Sequence, residues 1–290
     1  MPELPEVETV RRGLAAGLAG RRLARVEVRR RDLRRPVPAD LARRAAGQRI
    51  TAVTRRAKYL LLHLDGGAAI LIHLGMSGRI LVTPADAAPA LTIHDHVRFL
   101  TDDGVEARFT DPRRFGVVDL VAPGGVAGHP LLAHLGPEPL ATGDAPEAAP
   151  PLLNGALLME RLAGRTGAIK PLLLDQRMIA GLGNIYASEA LYRAGLSPRR
   201  RAHTIRGGRA ERLARAIGEV LQEAVAAGGS SLRDYRDAAG ELGYFQHDFR
   251  VYDRAGRPCP DCDCDSARTG GIRRLSQGGR STFYCPRRQR

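Results

Sequence analysis

The sequence MPELPEVETV at residues 1–10 decides how the chain begins to fold. Its apolar residues, continued by Leu14 and Leu18, recur at spacings of three and four, which predicts an amphipathic helix over residues 3–19. Proline is favoured at the first position of a helix, and acidic side chains in the first turn complement the helix dipole. Pro2, Pro5 and the nearby glutamates are therefore consistent with an ordinary helix start.

The same stretch can also supply a nucleophile. Met1 is normally removed when a small residue such as proline follows it, and its removal would leave Pro2 with a free secondary amine. An α-amino group has a pKa of about 8, against about 10.4 for lysine, so a useful fraction is neutral at physiological pH. Glu3 lies next to this amine and could serve as a general acid. The helix start and the nucleophile are compatible interpretations.

The charge of the chain favours a nucleic-acid partner. Its formal net charge is +14 and its pI is near 10.6, which is typical of proteins that bind a polyanion. An arginine-rich proteome is the alternative explanation, because Lys58 and Lys170 are the two lysines among 45 basic residues. Lysine can lose its proton or act as a compact point charge, whereas guanidinium cannot, so both lysines are candidates for special roles.

Length and hydropathy limit the class of protein. A chain of 290 residues is long enough for two domains, or for one domain with an appendage, and 43% hydrophobic residues can form a sizeable core. No apolar run is long enough to cross a bilayer, and the acidic first residues do not resemble a signal peptide. We therefore expect a cytoplasmic protein with no membrane partner.

Short β-type runs follow the first helix and are separated by turns that contain glycine or proline. Their number and spacing predict an antiparallel sandwich or barrel. The runs cover residues 23–28, 50–54, 59–64, 69–74, 79–82, 97–100, 105–110 and 116–121.

The second half of the chain changes character. Residues 137–151 are rich in Ala, Pro, Gly and acidic residues and predict a linker, whereas residues 205–227 carry an apolar face and predict a long helix. We expect an α+β multidomain fold. Its parts would be an N-terminal β-sandwich with a leading helix at 1–134, a linker at 135–152, a helical domain at 153–250 and a zinc-finger-like C-terminal hairpin at 251–290.

The sequence GLGNIYA at residues 181–187 separates two helical patterns. Its glycines permit close backbone approach, and we expect Asn184 to cap the second helix. The free N–H groups at the start of a helix can bind a phosphate. Most such turns are only helix corners, but the net charge and the nearby Lys170 favour phosphate binding here.

Two turns carry large apolar side chains that are hard to bury. HLGMSG at residues 73–78 places Met76 on one turn, and DPRRFG at residues 111–116 places Phe115 on the other. Ordinary packing at a sheet edge is one explanation. The functional alternative is a wedge, in which Met76 and Phe115 enter a base stack while Arg113 fills the space of a displaced nucleotide.

All cysteines lie near the C-terminus, as Cys259, Cys262, Cys264 and Cys285. Such clustering favours a metal over disulfides in an intracellular protein. A zinc hairpin would place its fourth cysteine at position 288, but Arg288 has no lone pair to offer zinc. Cys264 as fourth ligand, three cysteines with a water, and a metal-free hairpin all remain open. We favour one Zn²⁺ per chain with Cys264 as the replacement, because structural zinc prefers four ligands.

These motifs resemble the bacterial formamidopyrimidine-DNA glycosylases, the 8-oxoguanine repair enzymes of the helix-two-turns-helix superfamily. The resemblance covers nearly the whole chain, since it also includes KYL at 58–60, HDH at 94–96, residues 170–191 and RSTFYC at 280–285. The PELPEVE start is closer to this branch than to the endonuclease VIII branch, whose members prefer oxidised pyrimidines.

The resemblance implies a bifunctional enzyme that acts on double-stranded DNA containing damaged bases or abasic sites. The enzyme would flip the damaged base out of the duplex, at a cost of a few kcal/mol. Pro2 would attack the sugar C1′ and displace the base, Glu3 would supply or shuttle the proton, and the resulting iminium would permit β- and then δ-elimination. The protein would act as a monomer on nucleoid DNA.

The resemblance also implies roles for further residues. Lys58 would donate a proton, Arg280 would assist δ-elimination, and residues 238–245 would form a mobile loop over the extruded base. Met76, Arg113 and Phe115 match the void-filling wedge. Positions that match DNA contacts are His73, His94, Arg165, Lys170 and Asn184. Because the cysteine at 288 is missing, an alternative is a lesion-binding protein that has lost catalysis; a generic DNA-coating protein and an endonuclease VIII-like enzyme are further alternatives.

Overall fold

The computed structural model describes residues 2–141, 149–231, 235–263 and 265–290, which form two compact units. The first unit comprises the chain up to His134 together with the later segment Val225–Tyr244. The second comprises Leu135–Ala141, Pro150–Ala224 and Phe245–Arg290. No helix in the described ranges is long and apolar enough to cross a membrane.

The first unit is a β-sandwich preceded by a helix. Its two antiparallel sheets have the strand orders β1-β6-β7-β5 and β2-β3-β4-β8. The helices are α1 (Leu4–Leu18) and α2 (Leu41–Ala45). The strands are β1 (Leu23–Val28), β2 (Ile50–Arg56), β3 (Tyr59–Leu64), β4 (Ala69–His73), β5 (Arg79–Pro84), β6 (Asp95–Thr101), β7 (Val105–Thr110) and β8 (Val117–Val121).

One apolar core holds this unit together. Leu60 and Ile72 enter it from one sheet, Phe99 and Phe109 enter it from the other, and the apolar face of α1 contributes Leu14. Each of these side chains is at most 1% exposed. Complete burial of a leucine or phenylalanine side chain stabilises a fold by roughly 1.5–3 kcal/mol, so the alternating apolar positions of the strands fix which face of each sheet points inward.

Helix α1 carries Gly13 in its interior, although glycine there costs about 0.8–1.0 kcal/mol relative to alanine. Close approach explains the choice, because a Cβ at this position would lie 2.5 Å from the Cβ of Ala238. Gly17 is in the same situation, since its Cβ would lie 2.7 Å from Cγ1 of Val82. The helix therefore lies unusually close to β5 and to the segment that returns from residue 225 onward.

The second unit is helical and ends in a β-hairpin, so the α+β fold predicted from the sequence is confirmed. The predicted linker lies partly outside the described residues. Its two ends meet at buried Glu138, whose N–H donates to the Pro151 carbonyl at 3.0 Å and whose carbonyl accepts a hydrogen bond from the Leu153 N–H at 2.8 Å. The elements are α3 (Gly155–Leu162), α4 (Ile169–Leu173), α5 (Asn184–Arg193), α6 (Gly208–Ala226), α7 (Ser266–Thr269), β9 (Arg273–Gln277) and β10 (Arg280–Tyr284).

The expectation that Asn184 caps α5 is wrong. Gly183 is the N-cap residue, in an extended conformation, and Asn184 is the first residue of the helix. The Asn184 side chain is unavailable for capping because it accepts a hydrogen bond from Lys170 and donates one to the carbonyl of Ser281.

Candidate active site and nucleic-acid interface

The first turn of α1 holds Pro2 and Glu3 in a buried position. Glu3 is the N-cap residue, and its backbone N–H donates to Glu6 Oε2 at 2.8 Å, as in a capping box. The helix start thus fixes the backbone next to the proposed nucleophile. Met1, on whose removal a free Pro2 amine depends, lies outside the described residues.

Glu6 also connects this helix start to a distant part of the chain. Its second carboxylate oxygen accepts a hydrogen bond from the backbone N–H of Ser230 at 2.8 Å, and its carbonyl accepts one from the Tyr235 hydroxyl at 3.3 Å. The carboxylate therefore joins residue 3 to residue 230. Sequence reasoning assigned Glu6 only to the helix dipole, and no local pattern could have revealed a contact across 224 positions.

Lys58 lies in the tight turn between β2 and β3, where Ala57 adopts a left-handed conformation with φ of 52°. Its side chain is 6% exposed. Burial, together with the positive charges of Lys58 and Arg34, lowers the pKa of His73 to about 4. His73 is consequently neutral at physiological pH.

The hydrogen bonds of His73 fix its tautomer. Nδ1 accepts a hydrogen bond from the N–H of Gly75 at 3.0 Å, so the ring proton resides on Nε2. The ring packs against Tyr59 with 4.8 Å between the ring centroids. His73 is thus oriented as a neutral donor, which suits contact with a phosphate oxygen.

Asp111 organises the two turns that were predicted to carry a wedge. Its side chain is fully buried and accepts hydrogen bonds from the Ser77 hydroxyl at 2.6 Å and from the Gly116 N–H at 2.7 Å. Its own N–H donates to the carbonyl of His94 at 3.0 Å, while His96 Nε2 lies 2.7 Å from its carbonyl. The half-buried His94 therefore lies beside the wedge turns.

Met76 and Phe115 project from these turns and are 38% and 39% exposed. The Arg113 guanidinium lies 4.8 Å from the centre of the Phe115 ring, within cation–π range. These residues line one side of an open pocket of about 650 Å³, whose other lining residues include Asp32 and Arg34. All three side chains line this pocket; their role as a wedge that enters DNA stays a prediction.

The second unit brings Lys170 and Asn184 together with the C-terminal hairpin. The Lys170 ammonium is buried and donates to Asn184 Oδ1 at 2.6 Å, to Thr282 Oγ1 at 2.9 Å and to the Ser281 carbonyl at 3.2 Å. A compact ammonium with three donors suits this pocket, whereas a planar guanidinium does not. The expectation that this lysine has a role unsuited to arginine agrees with the geometry.

Two further predicted residues lie on exposed surfaces of the second unit. Arg280 is the first residue of β10, directly after the Gly278–Gly279 turn of the hairpin, and its side chain is exposed. Arg165 is exposed, and its carbonyl accepts a hydrogen bond from His203 N at 2.9 Å. Both guanidinium groups are available to a polyanion.

Sequence reasoning missed Glu189 in α5. This carboxylate is 1% exposed and accepts three backbone N–H groups, from Arg250, Val251 and Tyr252, at 2.8 to 3.0 Å. It thereby fastens the chain that leads into the hairpin. The available signal was the single acidic residue of the helical stretch at 184–193.

Three cysteines of the predicted metal site come together. The Sγ atoms of Cys259, Cys262 and Cys285 lie within 4.8 Å of one another, and those of Cys262 and Cys285 are 3.7 Å apart. A tetrahedral zinc with Zn–S bonds of about 2.3 Å requires sulfur atoms about 3.8 Å apart, so these thiols fit a metal. Cys264 lies outside the described residues.

Arg288 occupies the place where a fourth cysteine was expected. Its backbone N–H donates to Cys285 Sγ at 3.4 Å, and its guanidinium lies 4.9 Å from the centre of the Tyr192 ring. The Tyr192 hydroxyl is 3.1 Å from Cys259 Sγ. The arginine side chain therefore packs against the tyrosine that contacts the cysteine cluster.

The comparisons with known proteins assign the family. Residues 1–118 match the family model "Formamidopyrimidine-DNA glycosylase N-terminal domain", and residues 135–236 match "Formamidopyrimidine-DNA glycosylase H2TH domain". The chain belongs to the formamidopyrimidine-DNA glycosylase family. A curated formamidopyrimidine-DNA glycosylase of Rhodospirillum rubrum is 56% identical over 290 residues, with 100% of both chains covered.

Solved structures of formamidopyrimidine-DNA glycosylases have the same fold. Two complexes of the Lactococcus lactis protein (Fpg), one with DNA containing an abasic site and one with DNA containing N7-benzyl-Fapy-dG, have TM-scores of 0.84 and 0.83. Each is 31% identical in sequence, and the alignments cover 100% of both chains. In this family the helical region around α4 and α5 corresponds to the H2TH domain.

Proposed function

We propose that this formamidopyrimidine-DNA glycosylase removes oxidised purines from duplex DNA through a Schiff base on Pro2 and then nicks the strand by β,δ-elimination. The observation that carries the proposal is the buried start of α1, which holds Pro2 beside Glu3 through the Glu3–Glu6 hydrogen bond. The Lactococcus lactis complexes with a Fapy-dG derivative and with an abasic site support both halves of the reaction. Base-excision repair is therefore the function.

In the first step the Pro2 nitrogen attacks C1′, and the electron pair of the glycosidic bond leaves with the base. Glu3 donates a proton to the ring oxygen as its bond to C1′ opens, which leaves an iminium between Pro2 and the sugar. Lys58, at 6% exposure in the turn before β3, is the proton donor that we assign to the departing groups.

The iminium then drives strand cleavage. It withdraws electrons, so C2′ loses a proton and the 3′ phosphate leaves in the β-elimination. A second elimination expels the 5′ phosphate, and hydrolysis of the iminium frees Pro2. We assign Arg280, exposed at the tip of the hairpin, to this second elimination.

The remaining residues would bind and distort the duplex. Met76 and Phe115 enter the base stack, and Arg113 fills the vacated space, because an extruded base leaves a void that must be occupied. His73 donates from Nε2 to a backbone phosphate. We propose further DNA contacts by His94, Arg165, Lys170 and Asn184. Asn184 is the first residue of α5, and the start of a helix favours anions.

For the C-terminal hairpin we propose one Zn²⁺ held by Cys259, Cys262 and Cys285, with Cys264 as the fourth ligand. The spacing of 3.7 Å between Cys262 and Cys285 Sγ supports this assignment. The metal would supply structural stabilisation, and no catalytic step depends on it. We also propose that the protein acts as a monomer in the cytoplasm, on the DNA of the nucleoid.

Borohydride trapping tests the proposed chemistry. Reduction during the reaction with an 8-oxoguanine duplex converts the iminium into a stable amine, so wild-type protein becomes covalently attached to DNA. Pro2→Gly should trap much less DNA while it still binds the duplex, because a primary amine replaces the ring amine of proline. Undiminished trapping by Pro2→Gly would show that the secondary amine of Pro2 is not required, and strand cleavage without any trapping would overturn the Schiff-base mechanism.

A further inference from the structure

Tyr192, in the last turn of α5, belongs to the small apolar core that surrounds the cysteine cluster. Its side chain is fully buried, and the same core contains Val251 and Phe283. One turn earlier in the helix, Glu189 accepts the backbone N–H groups of the chain that leads into the hairpin. The ring of Tyr192 is therefore enclosed by the fold and has little freedom to turn away from the cysteines.

The hydroxyl of Tyr192 contacts one of the three clustered thiols. Its oxygen lies 3.1 Å from Cys259 Sγ. The thiolate, not the thiol, binds a metal, so with zinc present the sulfur has no proton and the hydroxyl is the donor of this hydrogen bond. Such a bond orients the ligand and favours its charged form. Partners of this kind, one step removed from the metal, typically contribute about 10- to 100-fold to metal affinity.

Arg288 contacts the same ring and the same cluster. Its guanidinium lies 4.9 Å from the centre of the Tyr192 ring, within cation–π range. Its Nη1 donates to the carbonyl of Asp261, between two of the cysteines, and its backbone N–H donates to Cys285 Sγ, each at 3.4 Å. Position 288 cannot supply a metal ligand, yet it contacts one cysteine directly and a second through the tyrosine.

We propose that Tyr192 is a positioning residue of the metal site: its hydroxyl donates to the Cys259 thiolate that binds zinc, and Arg288 holds the ring where it can do so. The inference rests on the proposed zinc site and deepens it. Since position 288 carries no cysteine, the arginine there supports the metal through Tyr192 instead of binding it.

Tyr192→Phe is the direct test, because it removes the hydroxyl and keeps the buried ring. Competition with a chromogenic chelator gives the zinc dissociation constant of each full-length protein. Tyr192→Phe should bind zinc about 10- to 100-fold more weakly than wild type. Arg288→Met should also weaken zinc binding, by a smaller factor, because the ring then loses its cation but keeps its hydroxyl.

Cobalt(II) in place of zinc gives a readout that a merely structural role of the tyrosine would not move. A hydrogen bond lowers the energy of the sulfur electrons. Its loss in Tyr192→Phe should therefore shift the sulfur-to-cobalt charge-transfer band to longer wavelength. The visible bands that report tetrahedral coordination should stay as in wild type, because the ligands themselves are unchanged.

Tyr235→Phe is the matched control. Tyr235 is also buried, and its hydroxyl donates to the carbonyl of Glu6 in the first unit. This variant loses a buried hydrogen bond of the same kind, yet it should bind zinc with wild-type affinity. Thermal unfolding of the zinc-loaded proteins checks that both phenylalanine variants are folded.

The outcomes separate the two proposals. Wild-type zinc affinity in Tyr192→Phe, an unshifted charge-transfer band, or equal losses of affinity in Tyr192→Phe and Tyr235→Phe would each overturn the role of Tyr192. Wild-type affinity in Arg288→Met would overturn the role of Arg288. If wild-type protein bound no zinc, the proposed metal site itself would fail.

Discussion

The Ser77 hydroxyl donates a hydrogen bond to Asp111 Oδ1 at 2.6 Å, and this contact joins the two turns that carry Met76 and Phe115. The other carboxylate oxygen of Asp111 accepts the Gly116 N–H at 2.7 Å. One buried carboxylate thus holds both turns in place. Its two acceptor oxygens explain why aspartate, and not asparagine, occupies the position.

Asp111→Asn should damage the wedge, because one side-chain oxygen is replaced by an amide N–H₂ that faces hydrogen-bond donors. The expected loss of unfolding free energy is about 1–3 kcal/mol, the cost of a buried unsatisfied polar group. Excision from an 8-oxoguanine duplex should fall about tenfold or more. Denaturant unfolding and excision kinetics measure the two effects; Ser77→Ala, which leaves the bond from the Gly116 N–H to Asp111 in place, should be milder. Equal behaviour of Asp111→Asn and wild type would contradict this account.

Lys170→Arg should destabilise the second unit although it conserves charge. The buried ammonium donates to Asn184, Thr282 and Ser281, and a larger, planar guanidinium cannot reproduce that geometry. We expect a loss of about 1–3 kcal/mol, as for other overpacked sites, measured by denaturant unfolding. Exposed Arg165→Lys is the control and should leave stability unchanged. Wild-type stability of Lys170→Arg would show that the pocket accepts any cation.

The hairpin should contain about one zinc per chain, on the four-ligand model of structural sites. Elemental analysis of protein never exposed to chelator measures it. Cys285→Ser should lose the metal and lower the melting temperature, whereas Arg288→Cys should retain zinc at chelator concentrations that strip the wild type. Absence of zinc from wild-type protein would mean that the packing of Arg288 on Tyr192 stabilises the hairpin without a metal.

The ionisation of Glu106 makes the free energy of unfolding depend on pH in the acid range. Burial opposes its ionisation, but hydrogen bonds from Arg98 and Arg108 outweigh this and lower the pKa of Glu106 to about 2, against an ordinary value of 4.5. Because the folded-state pKa is lowered, the stabilisation is fully present above about pH 4.5 and is lost as the pH falls toward 2.

Glu106→Gln should therefore be less stable than wild type at pH 7, and the difference should shrink below pH 4. Urea unfolding at a series of pH values provides the test. A constant difference between the two proteins across this range would show that ionisation of Glu106 contributes nothing.

The local elements were largely predictable from the sequence. Strands β1, β3 and β7 have the predicted bounds, and turns that contain glycine or proline follow β3 and lie on both sides of β7. Strand β6 begins at Asp95, two residues before the predicted 97, since Asp95 pairs with Thr110 in β7. Such an extension depends on the partner strand, and a single strand's pattern does not contain it.

Long-range contacts were not predictable. The Glu6–Ser230 bond and the seat of Ala238 against Gly13 join positions more than 200 residues apart. Asn184 looked like a helix cap because its type and position suited one, yet Lys170 and Ser281 engage its side chain. The chemistry proposed for Pro2 could be inferred from the sequence because it depends on position 2 alone, whereas the contacts that support this residue depend on the fold.

The proposed reaction begins when the amine of Pro2 attacks the sugar. Peptide mapping by mass spectrometry, on the complex trapped with borohydride on an 8-oxoguanine duplex, tests it most directly. We predict an N-terminal peptide that lacks Met1 and carries the reduced sugar on Pro2. A sugar attached to Lys58, or a trapped complex whose peptide retains Met1, would contradict the claim.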